Sequence, residues 1–350
     1  MRLRKLLSDV PNVVRMRGNN PDIGGIATHS GRVKEGDVFV ALSGDGSIPD
    51  RHPFIFQAVQ AGARAVVAER DVDVGDKAFI QTTNTHRALA HIARRFYNRP
   101  CEQLKMIGVT GTNGKTSTVY LIRAVLEMAG LAPGLIGTIE HDLGTTREIS
   151  HNSTPQAHDL HRMFRVMVDA GCRSAAMEVT SHGLAQNRVL GIDYEVAVFT
   201  NLTRDHLDYH NTPDAYLAAK ARLFDNLKPD AYAVVNTDDA ASKILIKKCS
   251  AHLLNYGRAE DATVRILDGS TSQDGTRLCL QTPHGQMDLK LALRGDFQLY
   301  NATAAVTAGL ALEIEPDIIA DALRDIRIPG RFEGIECGQN FGGFVDYAHA

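Results

Sequence analysis

The sequence has 350 residues, which is enough for two or three domains that each bury a core of their own. Its 44% hydrophobic and 23% charged residues are typical of globular proteins, and the formal net charge of −3 argues against a basic surface for nucleic acid or a polybasic membrane anchor. The five cysteines form no C-x-x-C pair and no apolar run approaches the ~20 residues of a membrane span, so we expect a cytoplasmic protein.

The first 103 residues are predicted to form a small α/β domain. Asp37–Leu42 and Ala65–Ala68 have the apolar character of buried strands. A short helix is predicted over 54–61, and a longer one over 85–97, where apolar residues recur at helical spacing. A proline and polar residues after the second helix mark the boundary with the next domain.

The sequence GVTGTNGKTS, residues 108–117, has the features of a phosphate-binding loop. It follows an apolar stretch, 105–109, that is typical of a strand, and it precedes a segment with helical apolar spacing. Glycines let the backbone approach phosphate oxygens, and a helix N-terminus offers unpaired N–H groups and a positive dipole end. Lys115 can therefore reach the β- and γ-phosphates, while the Thr116 hydroxyl can bind the accompanying Mg²⁺.

The glycines of this loop depart from the common pattern. Gly108, Gly111 and Gly114 are spaced three apart, whereas G-x-x-x-x-G-K-[ST] would place its first glycine at Val109. The alternative is a glycine-rich turn between strand and helix that binds no ligand. Gly-Lys-Thr in this context favours phosphate binding over that alternative.

From 104 to 328 the predicted strands and helices alternate, which is typical of a mostly parallel sheet covered by helices. One helix begins after Thr212 as N-cap, with Pro213 at its first position. Between 263 and 293 the pattern changes to short alternating segments, which indicates antiparallel strands with turns at Asp268-Gly269, Asp274-Gly275 and His284-Gly285. The other predicted elements are the strands 135–139, 174–179, 196–200 and 232–236 and the helices 155–171, 214–227 and 299–312.

Pro329-Gly330 marks a second boundary, after which 343–349 has the character of the first strand of another α/β unit. A strand without a following crossover helix cannot complete such a unit. We therefore interpret 329–350 as the start of a third, Rossmann-like domain that is mostly missing from the sequence.

Two segments could bring metal ligands to the loop, because ligand sites in open α/β sheets form at the carboxyl ends of the strands. Glu178 lies near the end of one predicted strand, and the segment 201–210, which contains His206, follows another. An acidic residue and a histidine there could complete Mg²⁺ coordination around a triphosphate. Glu178 could equally be a surface or ion-paired carboxylate, and His206 a structural histidine, since Mg²⁺ prefers oxygen ligands.

The remaining polar candidates have less specific patterns. Lys220 lies on the helix after Pro213, and its spacing alone is typical of a solvated lysine. The hydroxyl-rich stretches 150–154 and 180–183 could hydrogen-bond a polar substrate, or could serve only in caps and turns.

Six sequence blocks occur in the order found in the Mur ligase family, which the chain resembles from about residue 23 onward. They are GVTGTNGKTS, AMEVTSHGLAQNRV, FTNLTRDHLDYH, YLAAKARLF, LRGDFQLYNATAA and the stretch from PGRFE to VDYAH. The form Thr-Arg-Asp-His-Leu-Asp-Tyr-His resembles the UDP-N-acetylmuramoyl-tripeptide synthetase branch (MurE) in particular.

The resemblance implies an ATP-dependent amide ligase of peptidoglycan synthesis, acting as a monomer. Such an enzyme phosphorylates the D-glutamate carboxylate of UDP-MurNAc-L-Ala-D-Glu, and the amine of a diamino acid, diaminopimelate or lysine, then attacks the acyl phosphate. It further implies that 1–103 binds the UDP substrate, 104–328 binds ATP, and 329–350 begins the ligase domain. With most of that last domain missing, we expect the chain to fold and bind UDP-sugar weakly without ligating.

The resemblance also implies a role for each matched residue. Lys115, His206 and a carbamylated Lys220 would be catalytic, and Mg²⁺ would be bound by Thr116, Glu178, His206 and Lys220. ATP would contact Gly111, Thr112, Asn113, Gly114, Lys115, Thr116, Ser117, Asn301 and Arg331, with Asp346 at its ribose. The nucleotide-sugar peptide would contact Ser30 at its uridine and Asn152, Ser153, Thr154, Thr180, Ser181, Gln186 and Arg188. The family's uridine motif Asp-Ser-Arg is His29-Ser30-Gly31 here.

Two other interpretations stay open. Within the same class, the chain could be a MurF-type ligase or a cyanophycin or folylpolyglutamate synthetase, although 203–208 argues against the MurF type and Gly-Lys-Thr against the folate enzyme. From a different class, it could be a nucleotide-binding regulator that no longer ligates. The altered uridine motif favours a regulator, and the retained phosphate and metal residues disfavour it.

Overall fold

The computed structural model describes residues 1–335, 338 and 343–347, which form two compact units. The first unit comprises 1–102, 155–165 and 182–192, and the second comprises the rest of the chain. The boundaries predicted from the sequence instead assign 155–165 and 182–192 to the central domain. Across these described residues, no helix combines the length and the apolar character that a membrane span requires.

The first unit is built on a five-stranded sheet with the order β1-β5-β4-β3-β2. Strand β1 is antiparallel to β5, and the other neighbours are parallel. The strands are β1 Val13–Arg17, β2 Gly25–Ala27, β3 Asp37–Val40, β4 Ala65–Ala68 and β5 Ala78–Thr82, and the helices are α1 Leu3–Leu6, α2 Ile55–Gln60 and α3 Thr85–Phe96. Short 3₁₀ helices cover Ser30–Arg32, His52–Phe54 and Pro100–Gln103.

Alternating side chains of β3 explain why this strand has no polar face. Val38 and Val40 pack in one apolar cluster, whereas Phe39 and Ala41 pack in another on the opposite side of the sheet. A parallel strand covered on both faces is apolar throughout, as the sequence indicates. Helix α3 packs Leu89 and Ile92 into the cluster that contains Val38 and Val40. Asn84 caps the first turn of this helix, since its side chain accepts from the Arg87 N–H at 2.8 Å.

The elements from residue 105 onward continue the alternation of strands and helices. The strands are β6 Lys105–Thr110, β7 Pro133–Ile136, β8 Glu140–Asp142, β9 Arg147–Ile149, β10 Ser174–Glu178, β11 Val196–Phe199, β12 Tyr232–Asn236, β13 His252–Gly257, β14 Val264–Ser272, β15 Gly275–Thr282, β16 Gly285–Leu291, β17 Glu333–Ile335 and β18 Gly343–Val345. The helices are α4 Lys115–Met128, α5 Ala157–Asp169, α6 Ser181–Ala185, α7 Leu207–His210, α8 Pro213–Asp225, α9 Ser242–Leu245, α10 Phe297–Ala311 and α11 Pro316–Arg324.

The second unit contains an 11-stranded sheet with the order β16-β15-β14-β13-β12-β11-β6-β10-β7-β8-β9. Its seven central strands, from β14 to β7, are parallel, and antiparallel strands extend it at both edges. The predicted α/β class with a mostly parallel sheet is therefore confirmed. Because β6 lies between β10 and β11, the carboxyl ends of three neighbouring strands meet at the glycine-rich loop.

Helices α4, α10 and α11 share one apolar core with this sheet. The alanine-rich surface of α10 allows close approach: a Cβ at Gly309 would lie 2.8 Å from Ile319 of α11 and 3.2 Å from Val125 of α4. This packing holds α4 in place, and with it the loop at its N-terminus.

Three predicted elements differ in the structure. Asp268-Gly269 is not a turn but lies inside β14, where the register with β15 shifts between Ile266 and Asp268 and Leu299 packs over the glycine. Strand β7 ends at Ile136 rather than residue 139, because 137–140 turns back to form β8. The predicted strand 343–349 is only three residues long and pairs antiparallel with β17, while residues 348–350 lie outside the described part of the chain.

Candidate functional site

Two glycines of the loop occupy positions that no other residue fits. Gly111 has a φ of 151°, and a Cβ there would lie 1.9 Å from Thr200 Oγ1. Gly114 is the N-cap of α4 with a φ of 83°, and its Cβ would lie 2.4 Å from Asn301 Oδ1. The loop is therefore packed against β11 and α10, and its spacing of three is compatible with a tight strand-to-helix connection.

Replacing Gly114 with alanine is expected to destabilise the protein and to weaken nucleotide binding by about tenfold or more. The substitution adds left-handed backbone strain of roughly 1–2 kcal/mol and also displaces Asn301. Gly130→Ala is the matched control, because Gly130 has a φ of 70° but no atom within 4 Å of its Cβ position. Urea unfolding and ADP calorimetry measure both effects, and equal behaviour of the two variants would contradict the role of the Asn301 contact.

Two lysine side chains converge on one carbonyl of the loop. Lys115 Nζ donates to Gly111 O at 2.9 Å and to Thr112 O at 2.6 Å, and Lys220 Nζ donates to Gly111 O at 2.7 Å. Burial lowers the pKa of Lys115, an effect that nearby Glu178 and Asp205 oppose. Burial, together with the charge of Lys115, lowers the pKa of Lys220 well below its usual value. The loop therefore gathers two amines that lose their protons more readily than exposed lysines do.

Lys220 is not the solvated lysine that helix spacing alone suggests, because it is 1% exposed. Its ammonium lies 4.5 Å from the ring centre of Tyr216, whose hydroxyl lies 3.1 Å from Thr112 Oγ1. His206 is exposed, has a φ of 52°, and places its ring 6.1 Å from that of Tyr216. The structure thus brings His206 and Lys220 to the same aromatic side chain beside the loop.

Glu178 is 1% exposed at the end of β10, which excludes a surface carboxylate. Its Oε1 accepts from the Thr138 N–H at 2.7 Å, and its Oε2 accepts from Thr138 Oγ1 at 3.0 Å. Thr116 is also buried, at the start of α4, where its Oγ1 accepts from Arg331 Nη2 at 3.1 Å. Predicted phosphate and metal residues thus lie at the ends of β6 and β10, which are neighbours in the sheet.

Asn301 and Arg331 reach the loop from distant parts of the chain, whereas Asp346 contacts the hairpin near Arg331. The Asn301 amide donates to Gln298 Oε1 at 3.0 Å, and its Oδ1 accepts from Thr118 Oγ1 at 3.5 Å. Asp346 Oδ1 accepts from the Phe332 N–H at 3.1 Å. Its part in ribose binding stays a prediction.

The residues predicted for the peptide substrate fall into two groups. The group in the second unit comprises the exposed Asn152 together with Ser153, Thr154, Thr180 and Ser181. Thr154 Oγ1 donates to the Glu178 carbonyl at 2.8 Å and accepts from the Thr180 N–H at 3.0 Å. Gln186, Arg188 and Ser30 belong to the first unit.

In that first unit the polar side chains bond to one another. Gln186 Nε2 donates to Asp45 Oδ2 at 2.6 Å, and Arg188 Nε donates to Gln186 Oε1 at 2.7 Å. Ser30 Oγ donates to Gln57 Oε1 at 2.8 Å. These bonds pre-position the side chains, and their contacts with a substrate stay predictions.

A cleft of about 330 Å³ beside the loop was missed by the sequence analysis. Its lining includes amide, carboxylate and aromatic side chains: Asn113, Thr200, Asn201, Asn236, Asp238, Asp239, Phe297, Tyr300 and Asn301. Asn236 is the last residue of β12 and Asp239 follows it closely, so the rule that drew attention to 201–210 would have found them. Tyr300 OH donates to Asp238 Oδ2 at 2.9 Å, which closes one side of the cleft.

Both the sequence and the fold have relatives among known proteins. Residues 109–309 match the model of the Mur ligase middle domain. Over its full length the chain is 41% identical to the UDP-N-acetylmuramoyl-L-alanyl-D-glutamate–2,6-diaminopimelate ligase of Bacillus licheniformis and 42% identical to that of Geobacillus kaustophilus, and it spans 72% of each. A solved structure of a ligase with the same name superposes with a TM-score of 0.76 at 29% identity, over 90% of this chain and 65% of the other.

Proposed function

Since this chain belongs to the Mur ligase family, we propose that it belongs to a cytoplasmic, ATP-dependent enzyme that adds diaminopimelate to UDP-MurNAc-L-Ala-D-Glu in peptidoglycan synthesis. The full-length match to relatives named for that reaction supports the substrate pair. The geometric observation that carries the proposal is the convergence of Lys115 and Lys220 on Gly111, beside the buried Glu178. A purely structural turn would not gather two amines and a buried carboxylate.

The chemistry requires a carboxylate to become an acyl donor. A carboxylate oxygen is a poor leaving group, so the D-glutamate carboxyl first takes the γ-phosphoryl group, and the amine of the diamino acid then displaces phosphate. The loop N–H groups and Lys115 would hold the phosphates and compensate the charge that develops during transfer. The cleft lined by Asn113 and Asn301 would receive the nucleoside of ATP.

The donor set fits Mg²⁺ at the phosphates. Thr116 supplies a hydroxyl and Glu178 a carboxylate, which are the oxygen ligands that this ion prefers. Among the residues that the structure describes, no group of three His, Cys, Asp or Glu side chains is placed to hold a metal ion. A second ion near His206 would therefore depend on a carbamate at Lys220, because an ammonium would repel it. Bound Mg²⁺ would neutralise phosphate charge.

We further propose that 1–103 holds the UDP end of the substrate through Ser30, and that Gln186 and Arg188 serve the same ligand. The pre-formed bonds of Gln186 to Asp45 and Arg188 support this placement, because polar side chains held in advance lose less entropy on binding.

A titration tests the proposal against a nucleotide-binding regulator. UDP-MurNAc-L-Ala-D-Glu should bind the chain at least about tenfold more tightly than UDP-N-acetylglucosamine, because a ligase must recognise the peptide. Equal affinity for the two nucleotide sugars, measured by calorimetry, would contradict the ligase and favour the regulator. Product analysis of the complete enzyme with diaminopimelate and L-lysine then identifies the amino acid.

A further inference from the structure

Thr138 holds both oxygens of the Glu178 carboxylate. Its N–H donates to Oε1 at 2.7 Å and its hydroxyl donates to Oε2 at 3.0 Å. Burying a carboxylate is costly unless donors compensate, and Glu178 is 1% exposed. One residue of the turn after β7 therefore provides the bonds that fix the orientation of this carboxylate.

The donor role of the Thr138 hydroxyl also fixes the direction of its hydrogen bond with Ser153. An ionised carboxylate only accepts, so the single hydroxyl proton of Thr138 points to Glu178. Thr138 Oγ1 also lies 2.7 Å from Ser153 Oγ, which must then be the donor of that second bond. Because the proton of Ser153 is used in this way, its hydroxyl can accept from a substrate but cannot donate to it.

The turn leaves the carboxylate little freedom. A Cβ at Gly137 would lie 2.9 Å from Glu178 Oε1, so the backbone of the turn approaches the carboxylate directly. The neighbouring Thr154 hydroxyl donates to the Glu178 main-chain carbonyl at 2.8 Å. Side chain and backbone of Glu178 are thus held by separate segments of the chain.

We propose that Thr138 is a positioning residue for metal binding. Its N–H and hydroxyl fix the Glu178 carboxylate, and the Ser153 hydroxyl donates to the Thr138 hydroxyl. The inference rests on the proposed function, in which Glu178 is a Mg²⁺ ligand. A metal–oxygen bond requires a lone pair at a defined place, and groups that orient a ligand typically contribute about 10–100-fold to metal affinity. Thr138 lies in the turn after Ile136, where β7 ends three residues before the predicted end. This turn places the Thr138 N–H and hydroxyl at the Glu178 carboxylate.

Mn²⁺ binding in the presence of AMP-PNP, followed by the EPR signal of free Mn²⁺, tests the inference without relying on activity. Thr138→Val keeps the shape and the N–H but removes the hydroxyl, and we expect about tenfold weaker Mn²⁺ binding. Thr138→Ser restores the hydroxyl and should bind within about threefold of the original chain. Ser153→Ala should weaken binding less than Thr138→Val, because both donors to Glu178 remain. Thr146→Val is the matched control, because Thr146 is an exposed threonine in the next turn of the chain, between β8 and β9.

The outcomes separate this inference from the proposed function. If Glu178→Ala loses Mn²⁺ while Thr138→Val binds it normally, the positioning role is overturned and the metal role of Glu178 stands. Normal binding by Glu178→Ala would overturn both. If Thr138→Val does not fold, Gly137→Ala tests the same contact, because its Cβ would push Glu178 Oε1 away from the Thr138 N–H while both Thr138 donors are retained, and unchanged affinity in that variant would overturn the inference.

Discussion

Replacing Lys115 with alanine is expected to slow phosphoryl transfer by roughly a thousandfold or more while leaving the fold intact. The ammonium compensates charge that develops on the transferred phosphate, and its loss should cost about 4 kcal/mol of barrier stabilisation. The fold should persist because the Gly111 carbonyl keeps its bond from Lys220. The Gly111 and Thr112 carbonyls would both lose their bond from Lys115, and only the Gly111 carbonyl keeps a bond from the other lysine.

The measurement is substrate-dependent formation of acyl phosphate and ADP by the complete enzyme, together with thermal unfolding. Lys105→Ala is the matched control, since Lys105 lies at the other end of β6 with an exposed side chain paired to Glu195. A surface pair contributes only about 0–1 kcal/mol, so this variant should keep its activity. Unchanged acyl-phosphate formation by Lys115→Ala would count decisively against the proposed role of the loop.

Replacing Lys220 with alanine in the complete enzyme is expected to abolish ligation, with partial rescue by a small added carboxylate. Only a neutral amine adds carbon dioxide, and burial lowers the pKa of Lys220 well below its usual value, with Lys115 acting in the same direction and Asp205 against it. A lowered pKa increases the neutral fraction at a given pH. The carbamate should therefore form at lower pH than on an exposed lysine, and be lost as the pH falls through the lowered pKa.

The product is an anion with two oxygens, which suits Mg²⁺ where the ammonium would repel it. A carbamate signal after exposure to ¹³C-bicarbonate, measured by NMR, should appear in the original chain and be absent from Lys220→Ala. Lys228→Ala is the control, because Lys228 is an exposed lysine just after α8 that pairs with Asp193. If Lys220→Ala ligates normally without bicarbonate or any carboxylate, Lys220 has no catalytic part.

The strand–loop–helix unit around Gly-Lys-Thr could be predicted from sequence because its signals are local. Apolar spacing defines β6 and α4, and Gly-Lys-Thr between them defines the turn. The N-cap at Thr212 and the proline after it likewise predicted the start of α8 correctly. Parallel topology followed from the alternation of strands and helices, since short connections leave few other arrangements.

The surroundings of Lys220 and Glu178 were decided only by tertiary structure. Helical spacing described Lys220 as solvated, yet α8 packs so that this side chain is enclosed beside Tyr216 and Gly111. The partner of the Glu178 carboxylate is Thr138, which is 40 residues away in the sequence.

By itself, the sequence determined the class of fold, the strand–loop–helix unit around Gly-Lys-Thr and, through resemblance, the family. Tertiary packing decided which carboxylate and which amine are buried beside that loop, and which hydroxyl donates to the carboxylate. The physical reason is range: helix and strand patterns arise from neighbouring residues, whereas burial and hydrogen-bond partners depend on segments that meet only after the sheet has assembled.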